Sequence, residues 1–124
     1  MAQKFFLCEH CGSVLEWIEG PDAPAACCGE QMTELVPGTT EGASEKHIPV
    51  WQVQGNTVTV RVGSVDHPML PEHYIAWISL QTKQRCQRKA LHPGDAPAAC
   101  FALCEGDAVE AAYAYCNLHS LWKG

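Results

Sequence analysis

From Thr57 to Val62 the chain alternates without a break: Val58, Val60 and Val62 share one face, and Thr57, Thr59 and Arg61 share the other. A period of two marks a half-buried strand. The run IPVWQVQ, beginning at Ile48, precedes it across Gly55-Asn56, a dipeptide suited to a two-residue hairpin turn. HYIAWISLQ, RCQRKAL, CFALC and VEAAYAYC follow as further short runs, divided by the turn signals GDAP and EGD. VEAAYAYC is alanine-rich and suits a helix on propensity. Its alternation of Val109, Ala111, Tyr113 and Tyr115 with Glu110, Ala112 and Ala114 favours a strand instead. Six or seven short strands with turns every ~8–12 residues predict an antiparallel β-sandwich from Ile48 onward.

The first 36 residues have another texture. Gly12, Gly20 and Gly29 punctuate them, and their apolar side chains are too few for an independent core. The polar, glycine-containing stretch PGTTEGASEKH then links the two regions. The pattern therefore predicts a mainly β protein of two domains, 1–36 and 37–124. PDAPAAC at 21–27 is echoed by GDAPAAC at 94–100, a seven-residue match without shared context that reads as composition rather than duplication.

Charge and composition narrow the function classes. A formal net charge of −6 argues against a nucleic-acid footprint. No apolar run approaches the roughly 20 residues that span a bilayer, and MAQKFFLCEHCG lacks the pattern of a signal peptide. The expected setting is the cytoplasm, where thiols stay reduced. The 8 cysteines and 6 histidines then read as metal ligands before they read as disulfides.

Cys8 and Cys11 form a C-x-x-C turn, which presents two thiolates to one ion; Cys27 and Cys28 supply a second pair about 15 residues on. Thiolates favour zinc or iron, and spacing alone does not choose between them; a structural zinc or a disulfide pair are the plainer readings. Adjacent cysteines cannot make the usual symmetric knuckle, so a distorted tetrahedron is expected. His10, inside the knuckle, reads as a solvated loop residue.

The second constellation is His47 at the end of the linker, His67 and His73 around the proline-stiffened PMLPE, and the pair Cys116 and His119 near the end of the chain. Taken singly, each is an ordinary loop residue. Together, four imidazoles and a thiol at strand ends exceed the four ligands that structural zinc prefers, and suit iron with one position left for a small ligand. His92, before a Pro turn, reads as a surface residue.

CEHC…CC, EKHIPV, VGSVDHPMLPEHYI, PGDAP and YCNLHSLWKG, taken in order, resemble the desulfoferrodoxins, the two-iron superoxide reductases, over nearly the whole chain. The resemblance implies a desulforedoxin-like Fe(Cys)4 domain over 1–36 and a neelaredoxin-like, immunoglobulin-like sandwich over 37–124. It makes Cys8, Cys11, Cys27 and Cys28 the ligands of the first iron. It makes His47, His67, His73 and His119 equatorial ligands of a square-pyramidal second iron, with Cys116 axial. Glu45 and Lys46 match the family's Glu-Lys pair before the first histidine. Ser120 departs from the pattern, since the family usually has Gly after the last ligand histidine. Cys86, Cys100 and Cys104 have no counterpart in it. Were 84–91 and 100–104 to pair as a hairpin, Cys86 would face Cys104, as a disulfide or as small core fillers; reduced, inert thiols are the expectation.

The reaction implied is one-electron reduction of superoxide to hydrogen peroxide, a detoxification suited to an anaerobe or microaerophile, in a homodimer fed by a rubredoxin-like or other reductase donor. Lys46 is expected to draw the anion against the net negative charge. Glu45 is expected to bind the ferric ion after turnover. Two other classes stay open at this point: an electron carrier using only the tetrathiolate, and a storage or structural protein with zinc in both sites. The sequence does not identify the groups that orient the imidazoles.

Overall fold

The computed structural model describes residues 2–22 and 25–124. It divides into two compact units, Met1–Val36 and Pro37–Gly124.

In the first unit the strands are β1 (Lys4–Leu7), β2 (Val14–Trp17), β3 (Ala26–Cys27), β4 (Glu30–Gln31) and β5 (Thr33–Glu34). β1 lies between β2 and β5, antiparallel to both, while β3 and β4 form a separate short hairpin. Phe6, Cys8 and Met32 are the buried cluster, with Trp17, Ala25 and Cys27 packed against it. Two of these six are cysteines, so the unit's core and its thiol cluster are partly the same residues.

The second unit opens with one helical turn, α1 (Ser44–His47), inside the stretch read as a linker. Seven strands follow: β6 (Pro49–Gln54), β7 (Thr57–Val62), β8 (Ile75–Thr82), β9 (Cys86–Ala90), β10 (Ala98–Ala102), β11 (Val109–Cys116) and β12 (Ser120–Lys123). They make two antiparallel sheets, ordered β10-β7-β6 and β12-β11-β8-β9. This is the predicted immunoglobulin-like sandwich. Gln54 faces Thr57 across Gly55-Asn56, and Gly55 has φ +63, as a turn with glycine at its first central position asks. Along β7 the predicted alternation holds: Val58, Val60 and Val62 are fully buried and the residues between them exposed.

β11 is a strand, but its core face is not one unbroken alternation. Val109 pairs with Thr82 and Ala111 with Gln81, so Glu110 is an extra residue and the face changes there. Val109 therefore packs on the same core as Ala112, Ala114 and Cys116. A second shift lies between Tyr115 and Cys116, which pair with Trp77 and Ile75. It lets Ile75, Ile78 and Leu80 all face inward and sets Cys116, fully buried, beside Ile75.

The hairpin that would set Cys86 against Cys104 does not form. β9 pairs with β8, placing Cys86 opposite Gln81, and β10 pairs with β7 in the other sheet. Cys86, Cys100 and Cys104 are exposed rather than core fillers.

Ser120 begins β12 at φ +66, in the left-handed region. A side chain there costs roughly 1 kcal/mol that glycine avoids. Ser120→Gly should therefore raise the stability of the second unit by up to about 1 kcal/mol, read as a melting temperature a few degrees higher. An unchanged or lower midpoint would show that the serine is not strained.

Candidate metal centres

In the first unit the C-x-x-C turn is closed by main-chain bonds. The Cys8 N–H donates to the Ser13 carbonyl (2.8 Å) and the Gly12 N–H to the Cys8 carbonyl (2.9 Å). Across from it, Cys27 ends β3 opposite Glu30, and Cys28-Gly29 form the two-residue turn with φ +53 and +76. Positive φ at both positions is the primed turn that fits the twist of a hairpin. It also explains how adjacent cysteines serve one centre: the left-handed Cys28 carries its sulfur back toward that of Cys27. The Sγ atoms of Cys11 and Cys27 are 3.7 Å apart and those of Cys27 and Cys28 3.8 Å apart. Metal–sulfur bonds of about 2.3 Å in a regular tetrahedron put sulfurs about 3.8 Å apart. These two edges match that spacing. All four ligand atoms lie within 4.8 Å of one another.

The thiols differ in their hold on a proton. Hydrogen bonds from the Ser13 side chain and main chain draw the Cys11 thiol down to about 6. The neighbouring sulfurs of Cys8, Cys11 and Cys28 push Cys27 up to about 12. A cluster holding one ready thiolate and one that resists ionising is a natural cation site, because an ion removes the repulsion. His10 is exposed, with Nε2 2.9 Å from a Glu30 carboxylate oxygen, outside the thiol set.

In the second unit His47, His67, His73, Cys116 and His119 likewise bring five donor atoms within 4.8 Å of one another. Their elements are distant in sequence: His47 ends α1, His67 and His73 flank the loop before β8, and Cys116 and His119 bracket the β11–β12 turn. The rings stand in a closed circuit. Neighbouring centroids are 4.6 Å apart for His47–His67, 4.6 Å for His67–His73, 5.1 Å for His73–His119 and 4.8 Å for His119–His47. Each neighbouring pair is near perpendicular, at 70–85°. His47 and His73 face each other across the circuit at 6.4 Å and 31°. Four neighbours at one spacing with a longer diagonal describe a square. His47 Nε2 is 3.1 Å from both His67 Nε2 and His119 Nδ1. An ion with bonds of about 2.1 Å at the centre of a square sets adjacent nitrogens about 3.0 Å apart. The Cys116 Sγ is 3.7 Å from His119 Nδ1.

Two of these imidazoles have their tautomer fixed from behind. His47 Nδ1 donates to the Ala43 carbonyl (2.8 Å) and His67 Nδ1 to the Pro68 carbonyl (2.7 Å), leaving both Nε2 lone pairs aimed inward. The Nε2 of His73 is buried without a hydrogen-bond partner. Lone pairs converging at contact distance, with one orphaned nitrogen, are costly unless a cation occupies their meeting point, so the residues fit a bound metal. Burial holds His47 and His73 below the usual range and His67 at about 4, and charge on neighbouring imidazoles adds to the effect. All three are thus kept neutral, the form that ligates. Burial pushes the Cys116 thiol up, opposed by main-chain hydrogen bonds from Leu118 and His119.

Glu45 and Lys46 are both exposed on α1. The Lys46 charge reaches the cluster, for it disfavours protonation of His47 and His73. His92 is exposed, 3.6 Å from Asp95, away from either centre.

The sequence reading missed the groups that hold the ligands. Trp122 stacks on His47 at 4.9 Å and 29°, and its Nε1 donates to the His119 carbonyl (2.9 Å). The Thr40 hydroxyl donates to the same carbonyl. A side chain at Gly42 would meet His47 at 3.1 Å and Trp122 at 3.2 Å, so the chain passes against the ring only as glycine. A Trp three residues beyond a ligand was the one signal available for any of them.

The profile of the desulfoferrodoxin family matches residues 39–124. A desulfoferrodoxin of Syntrophotalea carbinolica is 42% identical over 125 residues, covering 99% of this chain and 98% of that protein. A desulfoferrodoxin of Nitratidesulfovibrio vulgaris is 43% identical over 120 residues, covering 97% and 94%. The crystal structure of a superoxide reductase from Treponema pallidum matches with a TM-score of 0.85 at 42% identity, covering 100% of this chain and 99% of that one.

Proposed function

The chain belongs to the desulfoferrodoxin family and is a superoxide reductase, and we propose that His47, His67, His73, His119 and Cys116 hold the iron at which superoxide is reduced. We assign Cys8, Cys11, Cys27 and Cys28 to an accessory Fe(Cys)4 electron-transfer centre in a desulforedoxin-like domain, 1–36. The catalytic centre falls to a neelaredoxin-like domain, 37–124. The observation that carries the reading is the square of four imidazoles with a buried thiol beside it.

Iron bound there supplies the single electron that, with two protons, turns superoxide into hydrogen peroxide. The protein's part is to set charge and access. Four neutral imidazoles compensate none of a cation's charge, so this ligand set draws an anion. Cys116 is the one donor that becomes anionic, and its thiolate raises electron density at the centre. His47, His67 and Cys116 are buried, while His73 and His119 are partly open to solvent, which admits a diatomic anion and two protons. Lys46 overrides the net charge of −6 locally and draws superoxide in. Glu45, its neighbour, would offer a carboxylate to the oxidised centre.

Lys46→Ala should slow the second-order reaction of superoxide with the ferrous protein by about tenfold for each ~1.4 kcal/mol of attraction lost. The wild-type rate should fall with salt more steeply than the mutant's. Glu45→Ala should leave that rate alone and alter the oxidised spectrum. Pulse-generated superoxide at several ionic strengths measures all three. Equal rates and equal salt slopes for wild type and Lys46→Ala would remove Lys46 from the mechanism.

We further propose a rubredoxin-like or other reductase as electron donor, a homodimer, and a cytoplasmic setting. The family relationship supports the first two, and the free state of all eight cysteines supports the third. No helix among the described residues is long and apolar enough to cross a membrane. The optical spectrum of purified protein tests the metal assignment. A ferric tetrathiolate absorbs in the blue-green, an oxidised His4Cys iron adds a red thiolate band, and zinc at both sites gives neither.

A further inference from the structure

The four imidazoles are not held alike. His47 and His67 donate ring N–H bonds to main-chain carbonyls. His119 has its carbonyl fixed by Trp122 and Thr40. Among the described residues the ring of His73 makes no such bond, and its buried Nε2 has no hydrogen-bond partner. Its main chain pairs with Leu70, through bonds of 2.9 and 3.1 Å, but that pairing is internal to the loop and moves with it.

Beyond the pairing of Ile75 with Cys116 at the start of β8, side-chain bonds from Asn117 join this loop to the rest of the cluster. The Asn117 Nδ2 donates to the Glu72 carbonyl (3.0 Å), and its Oδ1 accepts from the Tyr74 N–H (2.9 Å). Its own N–H donates to the Tyr74 carbonyl (3.2 Å). The two residues gripped are those on either side of His73, and Asn117 directly follows Cys116. We propose that Asn117 is a positioning residue for His73, fixing its imidazole relative to Cys116 and His119 and so setting the metal affinity of the His4Cys centre. The proposal rests on the reading of His73 as a ligand.

The plainer role for an exposed Asn at a strand end is to make the turn. An aspartate makes a turn as well as an asparagine but cannot donate to the Glu72 carbonyl, so the pair Asn117→Ala and Asn117→Asp separates the two roles. Both side-chain bonds go in the first variant and one in the second.

The probe is Co(II) loaded into full-length protein. Affinity is read by chelator competition, and the hyperfine-shifted imidazole signals are counted by NMR; these belong to the His4Cys centre alone. Groups behind metal ligands typically alter affinity about 10–100-fold when lost. Asn117→Ala should bind Co(II) at least about tenfold more weakly, with one imidazole set broadened or lost and three kept, at a melting temperature close to wild type. Asn117→Asp should fall between it and wild type. Wild-type affinity with four unchanged imidazole sets in Asn117→Ala would overturn the proposal. Should that variant not fold, Asn117→Asp decides alone: weaker binding with a normal melt upholds the proposal, and wild-type binding overturns it. Fewer than four imidazole sets in the wild-type protein would instead defeat the ligand reading itself.

Discussion

Cys116→Ser will cut superoxide reduction by at least about a hundredfold while the tetrathiolate spectrum of the first unit stays as it was. Losing a group that merely supports a ligand costs about 10–100-fold, and a donor itself should cost more. Cys116 is the single thiol among four imidazoles, fully buried, at the point where the β11–β8 register shifts. Burial pushes its thiol up, opposed by the Leu118 and His119 main-chain N–H groups, so the anionic donor depends on a cation beside it. Serine fills nearly the same space but ionises far less readily, so the pocket keeps its shape and loses its anionic donor. The visible spectrum and the rate with pulse-generated superoxide decide the matter. A variant that retains both the red band and the wild-type rate would strip Cys116 of its role.

The second large effect is expected from Cys28→Ser. Among the described residues Phe6, Cys8 and Met32 form the first unit's small buried cluster, and Cys8 and Cys27 belong at once to that packing and to the thiol set. Small metal-bound domains draw much of their folding free energy from the ion. Loss of one ligand should therefore bleach the blue-green band and let the amides of 2–22 and 25–36 exchange at rates near those of an unfolded chain. The second centre, with its own ligands and its own core, should still react with superoxide when an artificial reductant replaces the first. Complete loss of that reaction would mean the two units are coupled.

Much of this was readable in the chain, for reasons tied to particular residues. The Thr57–Val62 alternation and the Gly55-Asn56 turn are local codes, and β6 and β7 follow from them. The nine candidate metal donors are visible because Cys and His are rare residues whose spacing carries meaning. The core face of β11 was not visible, since it depends on an extra residue at Glu110 that appears only when Val109 is seen opposite Thr82. Nor was the separation of β9 from β10, because which sheet a short strand joins is set by long-range pairing rather than by its own residues. The supports behind the imidazoles were hidden for a simpler reason. Two are main-chain carbonyls, of Ala43 and Pro68, and every residue has one.

The square of imidazoles is built from segments far apart in the chain. His47 Nε2 meets His119 Nδ1 across 72 residues, and the turn that brings His119 there exists only once β12 has paired with β11. Closing so long a loop is slow and must precede the contacts that reward it. The thiol cluster of the first unit lies within 21 residues, Cys8 to Cys28, where an ion can gather the ligands as the chain collapses. The two centres thus enter the life of the protein in opposite order. With the proposed ligand sets, metal in the first would act as a template on which the chain takes shape, and in the second the finished sandwich would be a mould that metal enters last.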